Sequence, residues 1–154
     1  MIAVRRATEA DVPAMSRVLT ASIRELCAAD HKDDPERVAR WIANKTEAGV
    51  AKMLANPAQT LLVAEVDGVV AAVGAFGGGE ITLNYVDPAH RFAGVSRALL
   101  AAMETELRGG GLTAARLVST GTAQRFYRRA GWSDAGAPED HQGMLCYPMT
   151  KALI

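Results

Sequence analysis

The sequence predicts an α/β domain, and three observations carry that prediction. Thr60 to Val66 (TLLVAEV) and Val69 to Phe76 (VVAAVGAF) are apolar runs of strand length on either side of Asp67-Gly68. Both central positions of a type I′ turn want positive φ, and Asp-Gly suits them, so the two runs form a hairpin. The near-continuous apolarity of the second run implies burial on both faces. The second observation is Glu80 to Arg108, a strand-like run that breaks at Asp87-Pro88 and then continues as a helix. Val95, Ala98, Leu99, Ala102 and Met103 recur there at helical spacing and make one apolar face. The third is size: 154 residues, 49% of them hydrophobic, suit one domain (1–154) with a single core.

In chain order, Ile2 to Arg6 (IAVRR) reads as the first strand. Thr8 is a good N-cap, and Asp11 stands three residues on, where its carboxylate can reach back to the cap amide. Val12, Met15, Val18, Leu19, Ile23 and Leu26 trace a helical stripe, with a bend or split expected near Ser22. Ala28 to Asp34 reads as a polar break. Asp34-Pro35 then restarts a helix, with aspartate as cap and proline in the first position. Val38, Trp41 and Ile42 are its apolar face, and Trp41 and Met53 read as core. Thr46 caps a short helix, Glu47 to Leu54, which Asn56-Pro57 ends. Gly77-Gly78-Gly79 precedes a strand instead of a helix, so it is a turn and not a nucleotide loop.

Ala114 to Ser119 reads as a short strand after Gly109-Gly110-Gly111. Thr120 or Thr122 caps the next helix, Ala123 to Ala130, and Gly131 closes it at the C′ position. Gly143 to Thr150 is the terminal strand. Pro148 confines that strand to an edge or bulge position, which leaves a homodimer through the sheet open.

Composition narrows the function. Seventeen basic and seventeen acidic residues balance to zero, which argues against a nucleic-acid binder with its basic face. No apolar run approaches the roughly 20 residues that span a bilayer. The arginines of Met1 to Arg6 follow the apolar residues instead of preceding them, so no signal peptide is expected there. Cys27 and Cys146 are far apart and His31, His90 and His141 are scattered, so no metal site is expected. Free thiols suit a cytoplasmic protein.

The chemistry concentrates between the central strand and its helix, at Arg91-Phe-Ala-Gly94-Val-Ser96. Gly94 has no Cβ, so a ligand can approach the backbone closely. The first-turn amides of the helix point outward at the positive end of its dipole, and Arg91 and Arg97 add formal charge. Such a strand, turn and helix N-terminus suits a phosphate or pyrophosphate.

Tyr85-Val-Asp-Pro, this R-x-x-G-x-S turn and the A-L-L helix start together resemble the acetyl-coenzyme A motif of the GNAT superfamily of N-acetyltransferases. The usual form is Q/R-x-x-G-x-G/A, and Ser96 departs from it at the last small position. A-x-x-F-Y-x-x-x-G-W, from Ala123 to Trp132, resembles a second GNAT motif whose common form is F-Y-x-x-x-G-F. The opening I-x-V-R-x-A-T-x-x-D is similar to many GNAT beginnings, so the resemblance spans essentially the whole chain.

That resemblance implies an α/β (α+β) acyl-CoA N-acyltransferase fold, with a mixed, largely antiparallel sheet flanked by helices. It implies an acetyl-CoA-dependent enzyme that acetylates a primary amine of a small molecule or peptide. The pyrophosphate would lie on Phe92, Ala93, Gly94, Val95, Ser96 and Arg97 beside Arg91, with Phe126 of the second motif also at the cofactor. The pantetheine arm would pair like an extra strand with Tyr85 and Val86, given a neighbouring strand that splays away at the Asp87-Pro88 break. A backbone amide near Val86 would stabilise the oxyanion. Glu80 is implied as the base and Tyr127 as the acid at the thioester sulfur, since a phenol near pKa 10 stays protonated at neutral pH. Cys146 has no histidine beside it in sequence and reads as a small buried hydrophobe, so transfer is direct in a ternary complex. The segment between the first two strands would help build the acceptor pocket, and its Asp30, Asp33, Asp34 and Glu36 suit either a solvated loop or a cationic amine. A catalytically silent acyl-CoA sensor is the alternative.

Overall fold

The computed structural model describes residues 1–154. Asp67 and Gly68 take φ of 51° and 84°, the left-handed pair a type I′ turn needs. They join β2 (Thr60–Val66) to β3 (Val69–Gly77), and β4 (Glu80–Val86) returns antiparallel to β3. β1 (Ile2–Arg6) pairs with β2 at one edge. β5 (Ala114–Thr120), β6 (Ser133–Asp134), β7 (Glu139–His141) and β8 (Met144–Ala152) extend the sheet beyond β4. Its order is β1-β2-β3-β4-β5-β8-β6, with β7 also on β8. Only β4 and β5 run parallel, so the sheet is mixed and largely antiparallel.

Alternation along the strands divides the core in two. Leu61, Val63, Val73 and Ala75 face α1 (Val12–Leu26), whose Met15, Val18 and Leu19 are fully buried. Leu62, Ala64 and Ala72 face the opposite layer, built from α5 (Val95–Gly109) and α6 (Gln124–Arg129). β4 breaks this alternation. Phe76 pairs with Ile81 but Ala75 pairs with Leu83, which makes Thr82 an extra residue, a β-bulge. Ile81 therefore packs in the α5 layer and Leu83, two residues on, in the α1 layer.

The caps at Thr8, Asp34 and Thr46 form as the sequence implies, whereas the N-cap of α6 is Ala123, not Thr120 or Thr122, and makes no side-chain cap bond. The Asp11 carboxylate accepts from the Thr8 amide at 2.8 Å, and Arg5 grips it with two further bonds of 2.8 Å. Asp34 accepts from Glu36 N–H at 3.0 Å and starts α3 (Pro35–Ile42). Thr46 accepts from Gly49 N–H at 3.1 Å and starts α4 (Glu47–Ala55).

Three further expectations need correction. α1 runs unbroken through Ser22, which is buried, so the segment does not split there. The polar break holds a helical turn, α2 (Ala28–His31), ended by Lys32 at φ 57°. His31 stabilises it from a fully buried position, bonding Ile23 O at 2.8 Å through Nε2 and accepting from Asp33 N–H at 3.0 Å through Nδ1. Pro148 lies on neither an edge strand nor a bulge, for β8 runs between β5 and the short strands β6 and β7. Pro148 is tolerated because it falls between β7, which ends its pairing at Cys146, and β6, which begins at Met149. No helix is long and apolar enough to cross a membrane.

Candidate active site

β4 and β5 pair only at Glu80–Arg116 and Ile81–Leu117. Beyond the Thr82 bulge they diverge, well before the Asp87-Pro88 break where the splay was expected. The wedge opens into a cleft of about 650 Å³. Its floor carries Asn84, Tyr85 and Val86 of β4, and one wall is His90 to Phe92 with Gly94 to Arg97 at the start of α5; Ala93 of that turn does not line it. α6 supplies Arg125, Phe126, Tyr127 and Arg129, and the far end is closed by Ser22, Leu26 and Cys27.

Gly94 is the N-cap of α5 at φ 80°, and a Cβ there would meet no protein atom within 4 Å. The chain itself therefore leaves that space open to a ligand. With no side chain to cap it, α5 presents its first-turn amides to the cleft, where four arginines (Arg91, Arg97, Arg125 and Arg129) gather. Phe92 is 91% exposed, holds a left-handed φ of 65°, and lies under the Arg91 guanidinium at 4.5 Å from its ring centre.

The Asp87 N–H bonds Ala71 O on β3 at 2.8 Å. Backbone groups alternate sides along a strand, so the Val86 N–H faces the other way, into the wedge. It is the one amide at the position where an oxyanion donor was expected.

Tyr127 is buried beside it. Its hydroxyl oxygen accepts from Asn84 Nδ2 at 3.2 Å, and its ring meets Phe126 and Trp132 edge-on at 5.2 and 6.0 Å. Trp132 is fixed in turn by Glu104, which accepts from its Nε1 at 3.1 Å and from Lys151 Nζ at 2.7 Å. Burial pushes the Tyr127 phenol up to about 12, and the Asn84 bond works against that rise. Tyr85 turns toward α3 instead, where its hydroxyl accepts from Trp41 Nε1 at 3.2 Å, and burial raises this phenol too.

The structure does not bring Glu80 to these groups. It stands at the closed end of β4, its carboxylate 3.4 Å from the Arg116 guanidinium, and does not line the cleft. Val86 stands six positions further along the strand, roughly 20 Å away. No carboxylate of any other residue lines the cleft either. Asp30 accepts from Gly121 N–H at 2.7 Å and from the Thr122 hydroxyl, so it clasps the turn before α6 instead of drawing in an amine. Asp34 is occupied as the α3 cap, with Arg37 at 3.7 Å. Cys27 lines the cleft, but burial, helped by Asp30, pushes its thiol up to about 12. Burial and the acidic groups Asp30, Glu139 and Asp140 raise the Cys146 thiol as well, so neither supplies a thiolate at neutral pH.

Asn84, Arg125 and Arg129 are cleft residues that sequence reasoning missed. Arg125 and Arg129 stand at i and i+4, so they share a face of the second motif's helix. Asn84 is an amide in an apolar strand, between Leu83 and Tyr85.

A parallel pair splayed beside a helix N-terminus, with the Tyr127 phenol in the cleft between them, is the arrangement that the resemblance to the GNAT acetyl-CoA motifs implies. Residues 27–153 match the acetyltransferase (GNAT) domain, and the chain belongs to that family of N-acetyltransferases. No curated relative matches the sequence. Among solved structures, a GCN5-related N-acetyltransferase from Rhodopseudomonas palustris superposes with TM-score 0.86 at 24% identity, over 97% of this chain and 94% of that one. The PaiA N-acetyltransferase of Thermoplasma acidophilum, in complex with coenzyme A, gives 0.81 at 18% identity over 99% of both chains. YncA of Salmonella typhimurium, with its cofactor acetyl-CoA, gives 0.67 at 21% identity, over 100% of this chain and 95% of that one. At these identities the likeness is one of fold.

Proposed function

We propose that this acetyltransferase moves the acetyl group of acetyl-CoA directly to a primary amine of a small molecule or peptide, within a ternary complex. The observation that carries this reading is the divergence of β4 from β5 after Ile81, which leaves strand backbone, the Tyr127 hydroxyl and the α5 N-terminus around one cleft. The pyrophosphate takes the α5 amides and the neighbouring arginines, in the space where Gly94 carries no Cβ. The pantetheine arm lies along Tyr85 and Val86, filling the pairing position that β5 vacates.

The amine attacks the thioester carbon in its neutral form. The cleft holds no carboxylate, so the amine's surplus proton leaves to solvent or through the His90 imidazole, which lines the cleft, and Glu80 has no part in the step. The Val86 N–H donates to the developing oxyanion. As the C–S bond breaks, Tyr127 gives its proton to the sulfur; its raised pKa keeps that proton in place from neutral to alkaline pH. Both thiols are held protonated, which favours direct transfer over an acetyl-cysteine.

Thiol release from acetyl-CoA in the presence of a panel of primary amines and short peptides tests the activity, and calorimetric titration with CoA tests the cleft. Tight CoA binding without turnover on any acceptor supports a second reading, a silent acyl-CoA sensor, which the missing carboxylate base favours. Absence of CoA binding overturns both. An acetylated Cys27 or Cys146, found by mass spectrometry after acetyl-CoA is added without acceptor, overturns direct transfer.

A further inference from the structure

We propose that Asn84 is a positioning residue for the acid: by donating to the Tyr127 oxygen, it aims the phenolic proton into the cleft and supports that oxygen as the proton leaves. The proposal rests on Tyr127 as the acid. Asn84 Nδ2 lies 3.2 Å from Tyr127 Oη, and that hydroxyl makes no other hydrogen bond. A phenol has one proton to give and lone pairs that accept. While its oxygen accepts from Asn84, its O–H stays free for a partner in the cleft.

The placement of Asn84 is a product of the Thr82 bulge. Leu83 and Tyr85 pack toward α1, so Asn84 and Val86 turn toward the layer that holds Tyr127. In an unbulged strand that continued the direction of Ile81, Asn84 would face the opposite layer. Asn84 thus stands both in the cleft and in the narrow notch where β4 leaves β5.

Core packing alone does not explain an asparagine here. Its Oδ1 is buried and has no hydrogen-bond partner, which is a costly state for a carbonyl oxygen. A leucine of similar size would fill the space without that cost. The end of the amide that does find a partner is its N–H, on the Tyr127 oxygen.

In the reaction the amine nitrogen bonds the acetyl carbon, the C–S bond breaks, and the thiolate takes the Tyr127 proton. The proton that the acylated nitrogen sheds returns through water to the phenolate, so one amide and one thiol result. Throughout, the Asn84 N–H stays on the phenolic oxygen, and its bond is strongest when that oxygen is charged.

Kinetics of Asn84→Leu, Asn84→Asp and Tyr127→Phe test this, with acetyl-CoA and the amine panel. Asn84→Leu is expected to lower kcat on the order of tenfold, with KM for acetyl-CoA unchanged and thermal stability equal or higher. Combined with Tyr127→Phe it should add nothing further. Asn84→Asp puts an acceptor-only carboxylate against the phenol and ties up its proton. Its kcat relative to wild type should recover as pH falls and that carboxyl becomes a donor again. Wild-type kcat in Asn84→Leu, or additive losses in the double variant, overturns the proposal while leaving Tyr127 as the acid. Wild-type turnover in Tyr127→Phe instead removes the acid reading itself. Where no amine on the panel reacts, the carbon-13 resonance of the Tyr127 ring decides: a shift in Asn84→Leu supports the donation, and an unchanged resonance overturns it.

Discussion

The two ends of β4 are built from one short strand and behave oppositely. At the closed end, Glu80 and Ile81 pair with Arg116 and Leu117, and Glu80 spends its charge on the Arg116 guanidinium. At the open end, Asn84 to Val86 have no β5 partner and line the cleft. One bulge residue, Thr82, separates them. A paired ladder has no vacant backbone groups and no room, whereas a parted one exposes amides that hold their positions without further ordering. The cleft therefore opens where the ladder fails, and the Glu80 carboxylate, on the zipped side, does not line it.

Perturbing each end sharpens that contrast, and the largest effect belongs at the open end. Tyr127→Phe should lower kcat on the order of a hundredfold. Because the phenol is pushed up to about 12, wild-type Tyr127 stays protonated on raising the pH, and the deficit should persist in a kcat profile from neutral to alkaline conditions. A deficit that closes at high pH would assign the proton to another donor.

Gly94→Val comes next. It forces a β-branched residue to φ 80° and fills the space kept for pyrophosphate. CoA affinity by calorimetry should fall at least tenfold, about 1.4 kcal/mol, and the melting point should fall modestly, since valine is strained at that φ although no protein atom is crowded. Unchanged affinity would move the phosphate site elsewhere.

Arg91→Ala should weaken CoA binding by less than Gly94→Val does, and the loss should shrink as salt is added, because the guanidinium is exposed and already screened. A salt-independent loss would mark Arg91 as a structural residue of the turn.

The smallest effect belongs at the closed end. Glu80→Gln removes a partly exposed ion pair, a loss of about 0–1 kcal/mol in stability, and should leave the pH profile of turnover as it is. An acidic limb that moves in this variant would mean that water connects Glu80 to the amine across the paired end, and the contrast between the two ends would collapse.

Much of this molecule is legible in its residues alone. The Asp67-Gly68 hairpin, the caps at Thr8, Asp34 and Thr46, and the turn from Arg91 to Arg97 all form where local chemistry puts them. Each depends on neighbours a few positions away, through positive φ, a side-chain oxygen near an orphan amide, or an apolar stripe at helical period. The bulge at Thr82, the clasp of Asp30 on the turn before α6, and the tolerance of Pro148 are hidden from such a reading. Each depends on a partner far along the chain whose register no local pattern states.

By itself, then, the sequence determined most of the longer strands and helices, the glycine turn that suits a phosphate, and the motif that carries Tyr127, because propensity, capping and motif spacing are short-range; the short elements α2, β6 and β7 were not legible in it. The tertiary structure alone decided which end of β4 is open, and with that which of Glu80 and Asn84 lines the cleft. A single inserted residue reverses every side chain after it, and only the pairing of β4 with both its neighbours shows where that residue is.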